Sequence, residues 1–108
     1  MEANKDFKIK FDKNGYSPSL FCGQDDTECY VCGSNQYIQR HEIFYGRAYR
    51  TKSKHYGCWV NLCSACHDKV HFGKDRSLDL KLKQEGQKMF EEIFCHKIFM
   101  EVFDKNRL

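Results

Sequence analysis

Cys29-Tyr30-Val31-Cys32-Gly33 and Leu62-Cys63-Ser64-Ala65-Cys66-His67-Asp68-Lys69-Val70-His71 are the two stretches that decide how this chain folds. In each Cys-x-x-Cys pair, two thiolates at three-residue separation can reach one tetrahedral ion, and Gly33 permits the tight backbone of the first knuckle. The long gap between the pairs means that one ion would join remote parts of the chain. It would close a loop whose entropy a small core struggles to overcome unaided. The spacing therefore predicts a structural Zn²⁺ held by Cys29, Cys32, Cys63 and Cys66.

The length agrees with such a staple. At 108 residues the chain is the size of one domain, and a domain this small buries too little apolar surface to be comfortably stable by itself. Seven cysteines could form disulfides, but an odd count leaves one over, and no apolar h-region follows Met1. A reducing, cytoplasmic setting is the expectation, with thiols kept for metal. Cys22, Cys58 and Cys95 lack the paired spacing and read as small buried hydrophobes. No apolar run approaches membrane-spanning length, so a soluble chain with no membrane partner is expected.

The formal charge of +3 is mild, and its distribution says more than its size. Acids outnumber bases from Met1 to Glu28, whereas Arg40, Arg47, Arg50, Lys52 and Lys54 face only Glu42 between Gln36 and Tyr56. Interleaved with Tyr45, Tyr49 and Tyr56, these cations suit contact with a phosphate backbone. The plainer alternative is a solvated face.

Along the chain, Phe7, Ile9 and Phe11 alternate with Lys8 and Lys10 as in a half-buried strand, and Asn14-Gly15 reads as a turn. Pro18 and the acids Asp25, Asp26 and Glu28 read as loop. Tyr37 to Tyr45 reads as a strand, Gly46 ends it, a basic loop follows, and Cys58 to Leu62 forms the partner strand. After Cys66 the period changes: His67, Val70 and His71 fall at helical spacing, and Gly73 stops the helix. From Ser77 the apolar residues Leu78, Leu82, Met89, Phe90, Ile93, Phe94, Ile98, Val102 and Phe103 fit one long or two consecutive helices, with Gly86 as a weak point. That stripe reads as core packing or a homo-oligomer face, with a partner groove as the minor alternative. The whole is one domain over 1–108: an N-terminal strand and loop extension at 1–28, a zinc-stapled core at 29–73, and a helical segment at 74–108.

A second constellation combines His41-Glu42 with His67 and His71. Residues four apart on a helix lie about 40° from one another around the axis, so both imidazoles can face one point. With the knuckle setting the start of that helix beside the strands, His41 can join them as a ligand. The alternative is that His67 only caps the knuckle and His71 faces solvent.

Taken together, Cys-x-x-Cys, then His41-Glu42-Ile43-Phe44-x-Gly46, then Tyr56-Gly57, then Leu62-Cys63-x-x-Cys66-His67-x-x-x-His71 resembles the HNH endonuclease superfamily. It is most similar to the small HNH-like proteins of bacteriophages and prophages. The resemblance spans roughly Cys29 to Gly73. It implies an α+β fold with a small ββα-metal (His-Me finger) core and C-terminal helices. It also implies a second divalent ion (Mg²⁺, Mn²⁺, Ni²⁺ or Zn²⁺) that stabilises the scissile phosphate while a histidine of the first motif activates water. Carried over residue by residue, His41, His67 and His71 take ligand or base positions, and Glu42 takes a base or ligand position. The chain departs from the family pattern at Glu42, which precedes Ile43, and at Cys58, which replaces the middle asparagine. Asn61 lies nearby in another strand register.

Two main readings follow. The first is a phage- or prophage-encoded, DNA-hydrolysing HNH nuclease working in the bacterial cytoplasm, with Arg40, Arg47, Arg50, Lys52 and Lys54 on the nucleic acid. The second is a non-catalytic zinc module that binds nucleic acid or inhibits a host protein, supported by the two departures. A weaker third reading is a structural zinc subunit whose helical stripe is an oligomer face.

Overall fold

A computed structural model describes residues 11–21, 23, 24, 27–73 and 76–108. The strand expected around Phe7 and Ile9, the loop acids Asp25 and Asp26, and Cys22 lie outside the described residues. Among those described, the fold is a small α+β arrangement of one two-stranded antiparallel sheet and four helices.

Strand β1 covers Ile38–Glu42 and strand β2 covers Trp59–Cys63, in a register that sets His41 opposite Val60 and Arg40 opposite Asn61. β2 is buried along its whole length. β1 is shorter than the expected Tyr37–Tyr45 strand: Ile43 and Phe44 leave the ladder and plunge fully buried into the core. Alternation across the pleat puts His41 and Val60 on one face and Arg40, Glu42, Trp59 and Asn61 on the other.

The basic stretch after Gly46 is not the loop expected of it. Helix α1 spans Arg50–His55, and no apolar periodicity announces it because only Ser53 is buried. That serine holds the turn to the sheet, donating to the Phe44 carbonyl at 2.7 Å and accepting from the Phe44 amide at 3.1 Å. At Gly57 the backbone takes φ 73°, and a Cβ there would meet the Pro18 carbonyl oxygen at 2.3 Å. This close approach lets 17–20 lie along the start of β2, where Leu20 donates to the Gly57 carbonyl and Trp59 Nε1 to the Ser17 carbonyl. The Asn14-Gly15 turn forms as expected, closed by Asp12, whose Oδ1 accepts from Asn14 and Tyr16.

Helix α2 spans Ser64–Phe72 and stops at Gly73, as its spacing predicts. The apolar stripe beyond it becomes two helices, α3 over Ser77–Phe94 and α4 over His96–Phe103. The break falls at Cys95, which has φ 91°, and not at Gly86. Gly86 sits inside α3 and presses against the strand exit, where a Cβ would meet Ile43 at 3.2 Å and Phe44 at 3.4 Å. Turning at Cys95 folds α4 back, so that Phe44, Phe90, Phe99 and Phe103 pack together with no exposed surface. Most of the stripe is therefore spent inside this chain. Cys95 itself is exposed, contrary to expectation, because it occupies the outer corner of that turn, whereas Cys58 is fully buried as expected. Among the described residues no helix is long and apolar enough to cross a membrane.

Candidate metal centres

The first centre lies where the loop after Cys29 meets the junction of β2 and α2. One sulfur from each of Cys29, Cys32, Cys63 and Cys66 falls within 4.8 Å of the others, and the Cys32 and Cys63 sulfurs are 3.6 Å apart. Four thiolates on one tetrahedral Zn²⁺ at about 2.3 Å stand about 3.8 Å from one another, so the cluster fits that ion. Local backbone sets the first knuckle: Cys29 donates to the Ser34 carbonyl, Gly33 turns back onto the Cys29 carbonyl, and Tyr30 ties the loop to Asn61 of β2. Burial works against ionising Cys29, yet backbone amides of Cys63, Cys32 and Val31 outweigh it and bring the thiol down to about 6. Cys66 goes the other way, pushed up by burial and by the neighbouring Cys63, Cys29 and Cys32 sulfurs. Sulfurs this close cannot all carry negative charge without a cation between them, and a bound metal ion such as zinc would supply one.

The second centre joins β1 to α2. His41 projects from the strand face that α2 covers, and His67 and His71 project from one side of that helix. The ring centroids are 5.2 Å (His41–His67), 5.3 Å (His41–His71) and 4.6 Å (His67–His71) apart. One nitrogen from each lies within 4.8 Å of the others, a grouping that could hold a metal ion. Nitrogens sharing a tetrahedral ion stand about 3.4 Å apart, a difference that small ring rotations can close. His41 is 2% exposed, and among the described residues its Nε2 is the one buried side-chain nitrogen or oxygen without a hydrogen-bond partner. Burial first, then the His67 and His71 charges, drop His41 to about 3. Burial and His71 also lower His67. Both are neutral imidazoles near pH 7, the form that binds metal.

A cleft of about 220 Å³ opens over these histidines, with Arg40, Glu42, Tyr45 and Arg50 on its walls. Glu42 is outside the histidine cluster. It accepts a short hydrogen bond from the Tyr16 hydroxyl and pairs with Arg50 Nε at 3.3 Å. Tyr16 is raised above its usual range by burial and by Glu42, so it stays a donor. Nothing local to Glu42 signals this partner, because Tyr16 reaches it from the N-terminal loop. Tyr45 is another residue that spacing does not reveal: its ring lies 4.8 Å from His71, and its hydroxyl donates to Asp79 Oδ1 at 2.9 Å. Asn61 points away from the histidines, its amide nitrogen donating to the Gln24 carbonyl at 2.9 Å. Cys58 is sealed inside the core, where burial raises its thiol.

The five basic candidates differ in what they touch, although Arg40 and Arg50 both line the histidine cleft. Arg40 lies against the Tyr16 and Trp59 rings, which meet edge to face, 4.6 and 4.5 Å from their centroids, and pairs with Asp12. Lys52 Nζ donates to the Val102 carbonyl at 2.9 Å, and Lys54 Nζ lies 4.9 Å from the Tyr16 ring. Arg50 reaches the histidine cleft, and Arg47 is exposed with no partner among the described residues. The chain matches no protein-family model, no curated protein and no solved structure.

Proposed function

We propose that this chain is a divalent-metal-dependent nuclease of the HNH kind, hydrolysing DNA phosphodiesters in the cleft over His41, His67 and His71. The observation that carries the reading is the convergence of three imidazoles, one on a strand and two on a helix, around a buried His41 Nε2 with no other partner. The ββα-metal description belongs to this proposal: β1, paired with β2, carries His41, and α2 carries His67 and His71.

His41, His67 and His71 would hold the ion as three protein ligands, the number that leaves positions open to substrate. A divalent ion held there would supply Lewis-acid charge to a phosphate oxygen and would lower the pKa of water at the site toward neutrality, the released proton passing to solvent. His41 acts as a ligand and not as the base, because an imidazole that protonates only near pH 3 accepts protons poorly. Arg50, whose side chain is 61% exposed at the cleft wall, is placed to hold a non-bridging phosphate oxygen. Glu42 orients Arg50 while anchored by Tyr16, which makes it a positioning residue.

A second reading, a zinc module that binds without cutting, draws support from one fact. Glu42 is already engaged by Tyr16 and Arg50, so no free carboxylate faces the histidines from β1.

Plasmid nicking across Mg²⁺, Mn²⁺, Ni²⁺ and Zn²⁺ separates the two. The nuclease reading expects cleavage with at least one ion. It also expects at least a hundredfold loss in His67→Ala and His71→Ala, with tightly bound zinc unchanged at about one per chain. No nicking with any ion, together with no second ion bound by calorimetry, sinks it in favour of the binding module.

A further inference from the structure

A cavity of about 690 Å³ lies on the far side of Tyr45 from the histidines. Four cations line it, Arg76 before α3, Lys83 within it, and Lys105 and Arg107 after α4, against one acid, Asp79, among the described residues. Asp79 is fully occupied: it accepts from the Tyr45 hydroxyl, pairs with Lys83 at 3.0 Å and lies 3.6 Å from Arg76. One carboxylate cannot balance four cations, so the lining keeps excess positive charge around a space large enough for a phosphate.

The tail that lines one wall of this open cavity is held in place. The Arg107 amide donates to Gln87 Oε1 at 2.8 Å, its carbonyl accepts from Gln84 Nε2 at 2.9 Å, and Asn106 Oδ1 accepts from the fully buried Gln87 at 2.7 Å. The Arg107 guanidinium stacks over Phe44 at 4.8 Å. Lys83 lies 4.4 Å from the Tyr45 ring, which also meets His71 at 4.8 Å and His41 at 5.7 Å. A single tyrosine thus separates the cationic cavity from the histidine cleft.

We infer that this cavity seats a backbone phosphate of the nucleic acid whose neighbouring phosphodiester enters the histidine cleft. The inference deepens the nuclease reading and rests on it for the second contact. Such contacts set the register of a strand on the protein and carry no sequence preference of their own.

The test uses the zinc-loaded chain without added divalent ion, so that binding is read apart from cleavage. Fluorescence anisotropy with a short labelled DNA, at several salt concentrations, compares wild type with Arg76→Gln/Lys105→Gln. Both heads are exposed, so the fold should survive, and an unchanged melting temperature checks this. The expected result is about tenfold weaker binding and a log–log salt slope shallower by about two. Inorganic phosphate, added alone, should shift the amide resonances of Lys105, Asn106 and Arg107. Equal affinity and slope in the double variant, or no DNA binding by wild type, overturns the inference. Phosphate shifts with unaltered DNA binding also overturn it, leaving a site for a small phosphate ligand. Binding that depends on the cavity without cleavage by any ion would defeat only the nuclease reading. Cleavage that the double variant retains in full, with equal binding, would defeat only the cavity.

Discussion

At the scale of single residues, identical side chains have opposite roles according to their neighbours. Cys63 shares a cluster with three other sulfurs, whereas Cys95 sits exposed at a helix corner. The cluster can hold a metal ion whose binding free energy would be folding free energy, so Cys63→Ser should leave the chain unfolded or insoluble and free of bound zinc. Cys95→Ser should change stability by less than about 0.5 kcal/mol. Metal analysis and circular dichroism on the two variants check this contrast. His41 gives a pH signature. Its folded value near 3 lies below the ordinary 6.5, so the unfolded chain binds a proton that the folded chain refuses. Stability from this group is present above about pH 6.5 and is lost as pH falls toward 3, with a slope approaching about 1.4 kcal/mol per pH unit. Urea titrations between pH 7 and pH 4 should show a shallower fall in His41→Gln than in wild type. Equal slopes would mean that the buried imidazole is not the group that titrates.

Elements are held here by contacts that cross between them more than by their own propensities. α1 is short, basic and without a side-chain cap, and it exists because Ser53 bonds both main-chain groups of Phe44. The turn that follows depends on Gly57. Gly57→Ala imposes both a positive φ and a Cβ at 2.3 Å from the Pro18 carbonyl oxygen, so it should cost about 2 kcal/mol or more. Gly46→Ala, at φ 98° with nothing within 4 Å of the added carbon, should cost only the conformational part, about 1 kcal/mol. Chemical denaturation of both variants measures the difference, which isolates the close approach of the N-terminal segment to β2.

For the whole molecule, two anchors interleave along the chain: the sulfur cluster, able to hold a metal ion, and the aromatic core closed by α4. Phe103 stacks on Phe44, Phe90 and Phe99 and is fully buried. Phe103→Ala should cost about 3–5 kcal/mol, a large fraction of the roughly 5–15 kcal/mol typical of a domain. The variant should then melt at markedly lower temperature and lose its structure to a zinc chelator at concentrations that wild type survives. Thermal scans with and without chelator read both effects. If the chelator acts equally on the two proteins, the anchors are not part of one cooperative unit.

The features legible in the sequence are those governed by local geometry. Three-residue cysteine spacing set the sulfur pairs, four-residue spacing set His67 and His71 on one side of α2, and the aromatic and β-branched content of 37–45 read His41 into a strand beside them. The two spacings follow from the fixed rise and twist of the backbone, and with the strand they brought out both candidate centres. The chain's path through space decided the rest. Tyr16 captures Glu42, Asp79 engages Tyr45, and Arg76, Lys83, Lys105 and Arg107 gather round one cavity, although these partners are far apart in sequence. The turn at Cys95 likewise follows from burying Phe99 and Phe103 against Phe44, a demand of the core that no residue near Cys95 expresses. Local periodicity records which face a residue takes, but what meets that face is fixed only when the non-local contacts form.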